Sequence, residues 1–154
     1  MRACVQRVSS ASVSVDGGVT GSCGRGFLVL LGVGPGDDEQ TARRLWEKIF
    51  RLRVFDDRDG KMNLSLAQVD GEVLVVSQFT LYADCRRGNR PSFTDAAKPP
   101  LSVDAYELFL AEMNKQGLKD VQHGEFGADM QVSLVNDGPI TIWLDTDELS
   151  RPKR

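Results

Sequence analysis

The sequence predicts one domain that mixes β-strands with two helices. Three observations carry this. A chain of 154 residues can bury one substantial core but leaves little room for two. Short β-branched and aliphatic runs, bounded by Gly, Pro, Asp and Asn, recur along its length and read as strands. Two longer segments, over about 38–53 and 102–115, instead repeat apolar residues at helical spacing. Hydrophobic content of 41% with 27% charged residues suits a chain that folds around an ordinary core.

Ala3 to Val8 is the first expected strand. Ser12-Val13-Ser14-Val15 and Val19-Thr20 flank Asp16-Gly17-Gly18 and predict a hairpin, because glycine supplies the positive φ of a tight turn. Phe27 to Val33 is apolar on both faces, as a central strand should be, and Gly34-Pro35-Gly36 stops it. Asp37 or Asp38 then caps a helix running to about Arg53. Its stripe is Ala42, Leu45, Trp46, Ile49 and Leu52, with Arg43, Arg44, Lys48 and Arg51 on a solvated face. Asp56 to Lys61 is a turn-rich loop; it lacks the downstream bidentate glutamate of a calcium loop, so no calcium is expected. Glu72 to Val76 is a buried strand. Lys98-Pro99-Pro100 reads as a spacer, and Ser102 as the cap of a second helix to about Lys115, with Ala105, Tyr106, Phe109, Leu110 and Met113 inward. Gln131 to Val135 and Ile140 to Leu144 are the last strands, with Asn136-Asp137-Gly138-Pro139 as a turn between them. Residues 1–149 form the expected domain and 150–154 a frayed basic tail.

Composition narrows the chemistry. A net charge of −3 argues against gripping nucleic acid by bulk positive charge, though a local basic patch remains open. His123 is the only histidine and the three cysteines have unrelated spacings, so neither a zinc site, a Ser-His-Asp triad nor a disulfide framework is expected. No apolar run approaches the ~20 residues of a membrane span, and Met1 to Val8 lacks a signal peptide's apolar core. A reducing cytoplasm is the expected location.

The unusual stretch is Ser77-Gln78-Phe79-Thr80-Leu81-Tyr82-Ala83-Asp84. It continues an apolar strand with polar residues, which on a strand would put Gln78 and Thr80 on one face and Ser77 and Phe79 on the other. Polar groups at the end of a buried strand need partners or a cavity, since an unpaired one costs about 1–3 kcal/mol. A strand end fraying into solvent fits this stretch equally well. Cys85 to Arg90 follows as a basic loop, with Arg86, Arg87 and Arg90 suited to phosphate oxygens or merely to solubility.

Taken together, Ser77 to Asp84, Gly88-Asn89-Arg90-Pro91-Ser92-Phe93 and Asn136-Asp137-Gly138-Pro139-Ile140-Thr141 resemble the D-aminoacyl-tRNA deacylase family. Met1-Arg2-Ala3, Lys61-Met62-Asn63 and Phe126-Gly127-Ala128-Asp129-Met130 extend the resemblance over nearly the whole chain. Cys85 stands where Thr is commoner, Arg87 where Lys is, and Ile140 where Val is. The resemblance implies a single α+β domain with a curved, largely antiparallel, barrel-like sheet and two main helices, working without a cofactor as a homodimer with interface active sites. It implies hydrolysis of the ester between a D-amino acid and the tRNA 3′ end. Ser77, Gln78, Phe79 and Thr80 would form the catalytic centre, Phe126, Met130, Arg87 and Arg90 the pocket and tRNA end. Gly138 and Pro139 would reach across to read chirality. Sequence alone makes a cis Gly138–Pro139 bond improbable, because only about 5–6% of X–Pro bonds are cis; the resemblance reverses that expectation.

With no histidine expected nearby, the resemblance favours a reaction assisted by the terminal ribose 2′-OH, the protein positioning the ester. The rival mechanism makes Thr80 a covalent nucleophile without an evident base. Two other functions stay open at this point: a non-catalytic tRNA-binding module, and a general amino-acid ester hydrolase.

Overall fold

In the computed structural model, which describes residues 1–118 and 120–154, strand pairing follows from which faces are apolar. Strand β3 (Gly26–Gly32) is buried almost throughout. Phe27, Val29 and Leu31 join the main core under the helices, while Leu28 joins a second core on the opposite face with Val8, Val13, Leu74 and Val76. A strand apolar on both sides must be internal. It pairs antiparallel with β1 (Arg2–Val15) and parallel with β6 (Glu72–Ser77).

The sheet runs β2-β1-β3-β6-β7, with β2 at Gly18–Cys23 and β7 at Val121–His123. β8 (Gln131–Asp145) lies along the other edge of β1. The pairings at β1 are antiparallel and those at β6 parallel. The amide of Ser22 on β2 donates to Gln122 on β7 at 2.7 Å, drawing the ends of this path together. The mixed sheet is thus nearly closed into a barrel, as expected of the α+β class, with parallel pairing in its second half.

Several expected elements change at their ends. The first strand and the first arm of the hairpin form one strand, β1, bent by register shifts between Gln6 and Val8 and between Val8 and Ser10. The hairpin turn is Asp16-Gly17, with φ of 50° and 82°, as the sequence predicts. Likewise, Asn136 to Pro139 is no hairpin turn. Both flanking segments belong to β8 and pair with β1, so residues 137–140 bulge out opposite Arg7. A hairpin would have folded the last two segments onto each other; the unpaired edge of β1 takes both instead.

Helix α1 (Glu39–Arg51) begins at Asp38, whose carboxylate accepts from the Thr41 amide at 2.9 Å in a reciprocal capping box. Its Ala42, Leu45, Trp46 and Ile49 are buried against helix α2 (Leu101–Asn114) and the sheet. Burying each of the larger side chains contributes about 1.5–3 kcal/mol. α2 departs from expectation at its start: Pro100 occupies the cap position, and Ser102 lies buried inside the first turn rather than capping it. The spacer before it contains a cis Pro99–Pro100 bond. Short strands β4 (Phe55–Asp56) and β5 (Met62–Leu64) flank the acidic loop, whose Asp57 accepts from the amides of Asp59 and Lys61. A third helix, α3 (Thr146–Leu149), was not expected; Asp145 caps it. Ser150, placed by the sequence in the tail, closes α3 by donating to Thr146 O at 2.8 Å.

Candidate active site

Strand β6 ends at Ser77 and the chain turns into a single 3-10 turn, Phe79–Tyr82. The alternation expected of Gln78 to Thr80 therefore does not apply, because these residues no longer lie on a strand. The turn is fixed by the Gln78 amide donating to Leu31 O at 2.7 Å. It also needs Gly32: a Cβ there would lie 3.0 Å from Gln78 O and 3.2 Å from the Leu81 Cβ. Gln78 Nε2 donates to Thr80 Oγ1, so the two polar side chains meet although they do not share a strand face. Phe79 and Thr80 open the turn, where amides have no acceptor within it. Phe79 is left 55% exposed, edge-on to Phe93 with ring centroids 5.1 Å apart.

This turn forms one wall of a cavity of about 470 Å³. Of the residues the sequence singles out, Ser77, Gln78, Phe79, Phe126 and Met130 line it. Its remaining walls are mainly apolar, including Leu31, Val33, Val76 and Pro99. Thr80 is not in the lining but is held to Gln78. His123 is also outside; its Nδ1 lies 2.7 Å from Gly124 O. Among the described residues, no group of three or more His, Cys, Asp or Glu could hold a metal ion.

The basic loop leaves the turn through an isolated bridge, in which Asp84 and Ser92 exchange amide-to-carbonyl bonds at 2.8 and 2.9 Å. Asp84 also takes the guanidinium of Arg86, at 2.8 Å from Nε and 2.6 Å from Nη2. Those bonds hold the Asp84 carboxyl down at about 2. Arg87 and Arg90 are exposed and make no ion pair among the described residues. They do not line the cavity either.

Gly138 and Pro139 likewise lie outside the cavity of their own chain, and the bond between them is cis. The bulge that carries them rests on Arg7, a side chain the sequence reading did not single out. Arg7 is 7% exposed; its Nε donates to Asp137 O at 2.8 Å and its Nη1 to Val54 O at 2.7 Å. A signal was present: Arg7 sits in phase with Ala3 and Val5 on the inward face of β1. At Gly138 the φ is +138°, and a Cβ would come within 2.7 Å of Ile140 Cγ1. Asn136 Oδ1 accepts from the Ile140 amide at 2.7 Å and closes the bulge at its base. Phe93, Lys98, Pro99 and Ser102 are cavity walls that the sequence reading assigned elsewhere, as motif, spacer or cap.

The chain is similar to known proteins over nearly its whole length. Residues 4–145 match the family model described as D-Tyr-tRNA(Tyr) deacylase. The chain is 58% identical over 149 residues to a D-aminoacyl-tRNA deacylase of Anaeromyxobacter dehalogenans, covering 97% of this chain and 99% of that one. It is 56% identical over 153 residues to the protein of the same name from Roseiflexus castenholzii, covering 99% and 97%. A solved structure described as c-Myc DNA Unwinding Element Binding Protein superposes with a TM-score of 0.89 at 41% identity, over 94% of this chain and 98% of that one. A probable eukaryotic D-amino acid tRNA deacylase superposes at 0.76 over 93% and 97%, and at 15% identity it shows the fold alone. With its model matched from the first strand to the last, this chain belongs to the D-Tyr-tRNA(Tyr) deacylase family.

Proposed function

We propose that this chain hydrolyses the ester joining a D-amino acid to the 3′ end of tRNA, in the cytoplasm and as a homodimer. The observation that carries the proposal is a division of labour between two surfaces. Ser77, Gln78, Phe79, Phe126 and Met130 converge on one cavity, while Gly138 and Pro139 stand outside it on the same copy. A second copy is needed for the two surfaces to meet. The bulge's own strand supports such a contact: β8 leaves Val132, Leu134, Val135 and Trp143 exposed, Val135 by 57% and Trp143 by 46%.

In this reading, the backbone of Gly138–Pro139 from one copy closes the other's cavity beside Gln78 and Thr80. An L side chain would run into that main chain, whereas a D side chain would point away from it. Exclusion by fixed backbone discriminates more sharply than an apolar pocket can. Glycine has no side chain to exclude, so glycyl-tRNA is cleaved as well.

The chemistry asks little of the protein. Water attacks the ester carbonyl, and the amides at the start of the Phe79–Tyr82 turn, with Gln78, stabilise the tetrahedral oxyanion. The ribose 2′-OH takes the proton from water and passes it to the departing 3′-oxygen as the acyl C–O bond breaks, giving a free amino acid and intact tRNA. No protein base is required. Arg87 and Arg90 supply charge for the acceptor-stem phosphates.

The test is incubation with matched D- and L-tyrosyl-tRNA, measuring the acyl-tRNA that remains. Loss of the D form alone is expected. Binding without release of amino acid would replace this reading with a tRNA-binding module. Equal cleavage of a free D-amino acid ester would replace it with a general ester hydrolase.

A further inference from the structure

Neither the Lys61-Met62-Asn63 motif nor the basic face of α1 has a part in the scheme above, and the two meet at Arg53. The Arg53 Nε donates to the Asn63 carbonyl at 2.8 Å and its Nη2 to Asn63 Oδ1 at 3.2 Å. Asn63 is fixed in turn, its Nδ2 donating to Asp57 Oδ2 at 2.8 Å. Both acceptors on Arg53 are neutral, so the side chain is ordered while its charge stays uncompensated. Arg53 ends a groove of about 350 Å³ whose other walls include Arg44, Lys48, Arg51 and Leu52. Arg44, Lys48 and Arg51 are spaced i, i+4, i+7 and share one exposed face of α1. None of the four cations makes an ion pair among the described residues, whereas the neighbouring Arg43 is paired with Glu39 and Glu112. Glu47 is the one carboxylate in the lining. In a chain of net charge −3, this is a concentrated positive patch.

The place of the groove says more than its charge. It shares no residue with the cavity of its own copy. Val54 follows Arg53, and the Val54 carbonyl accepts from Arg7 Nη1 at 2.7 Å, while Arg7 Nε donates to Asp137 O at 2.8 Å. One guanidinium therefore separates the end of the groove from the base of the Gly138–Pro139 bulge. Two acids at this junction, Asp56 and Asp137, lie 3.5 and 3.7 Å from that same guanidinium, which offsets their charge. In the proposed dimer the bulge enters the other copy's cavity, and it carries the end of this groove to that cavity's rim.

We infer that the α1 groove of one copy binds the phosphate backbone of the tRNA whose 3′ end occupies the other copy's cavity. The inference rests on the deacylase and dimer readings for the identity of the ligand. Arginine forks and a lysine suit phosphate oxygens and fix register without reading sequence. From Arg44 to Arg51 the helix rises about 10 Å, the length of about three nucleotide steps of one strand. These are positioning residues: they touch the RNA away from the ester and take no part in the proton transfers.

The test uses the full chain carrying Lys48→Gln and Arg51→Gln together. With D-tyrosyl-tRNA, KM should rise roughly 3- to 30-fold at unchanged kcat. The slope of log KM against log salt should fall by about 2, one for each lost phosphate contact. With D-tyrosyl-adenosine, which carries no phosphate, both constants should match wild type. Lys48→Arg with Arg51→Lys should restore the KM for D-tyrosyl-tRNA. Mixed dimers, separated by two affinity tags, read which copy acts. Where one copy carries Gly138→Ala, only that copy's cavity meets an intact bulge. The glutamine pair should raise KM when carried by the copy with the intact bulge, and leave it unchanged when carried by the Gly138→Ala copy. Any other pattern in the mixed dimers, an unchanged KM in the homodimer, or an equal loss with D-tyrosyl-adenosine would overturn the inference. The two readings fail separately. Binding of tRNA that depends on Lys48 and Arg51, without release of amino acid, keeps the surface and removes the reaction. Normal hydrolysis with an indifferent glutamine pair removes the surface alone.

Discussion

Replacing Arg7 by methionine should loosen the Gly138–Pro139 bulge while keeping the volume of the strand. The guanidinium spans two backbone carbonyls, Asp137 O at 2.8 Å and Val54 O at 2.7 Å, with the Asp56 carboxylate farther off at 3.5 Å. A hydrogen bond to a charged donor contributes about 1.5–3 kcal/mol, so two set an upper limit of roughly 3–6 kcal/mol. The Asp137 end is open to water, which resolvates that carbonyl in the variant; the Val54 carbonyl is buried and has no such substitute. The expected loss is therefore about 2–4 kcal/mol, or roughly 5–15 °C in thermal midpoint for a chain of this size. Urea denaturation should show a lower midpoint with the slope unchanged. In the same preparation, the ratio of D- to L-tyrosyl-tRNA cleavage should fall by at least about tenfold, because a wall that yields by ~1.4 kcal/mol no longer excludes. A loss below about 1 kcal/mol would refute the energetic argument. Full stereoselectivity in a clearly destabilised variant would refute the link between Arg7 and the wall.

Other predictions follow from the same geometry. Gly138→Ala forces a side chain into a φ of +138° and against Ile140, so it should reduce cleavage of D-tyrosyl-tRNA while the isolated fold persists by circular dichroism. Thr80→Ala should retain most of its turnover, and a tRNA ending in 2′-deoxyadenosine should retain little; the opposite pair of results would make Thr80 the nucleophile. Arg87→Ala and Arg90→Ala should each raise KM and flatten its salt dependence without lowering kcat, whereas Arg86→Ala should do less because its charge is already paired with Asp84. Burial pushes the Cys23 thiol up to about 11, so its neutral form is the one the fold favours. That contribution is complete at pH 8 and is lost as pH rises from about 9 through 11, and Cys23→Ser should flatten the fall in stability over that window. At pH 8 a thiol reagent should label the exposed Cys85 and leave Cys23 until the protein unfolds.

Much of the architecture was legible because local patterns and tertiary roles coincide. The two-faced apolar run of β3 could only be internal, and the Asp38 cap with its stripe could only be an amphipathic helix against a core. The stretch from Ser77 to Asp84 was legible for the opposite reason: its polar residues contradict the strand that carries them, and the fold resolves the contradiction by ending β6 at Ser77. Where the reading failed, the deciding partner was distant in sequence. Asn136 to Pro139 has turn chemistry, and nothing local says that both flanking segments will pair with the same strand. Ser102 has cap chemistry, but Pro100 comes first and Ser102 is left buried inside the first turn.

By itself, the sequence determined the main strands and two helices, the polar strand end, and the motifs that mark the family. Those depend on side-chain periodicity and on residue types within a few positions of one another. Only the tertiary structure decided that β1 and β8 run as long bent partners, that Arg7 carries the bulge between them, and that Phe93, Lys98, Pro99 and Ser102 complete the cavity. Each of those is a meeting of segments far apart in the chain, fixed by which edges and faces remain to be covered once the core has closed.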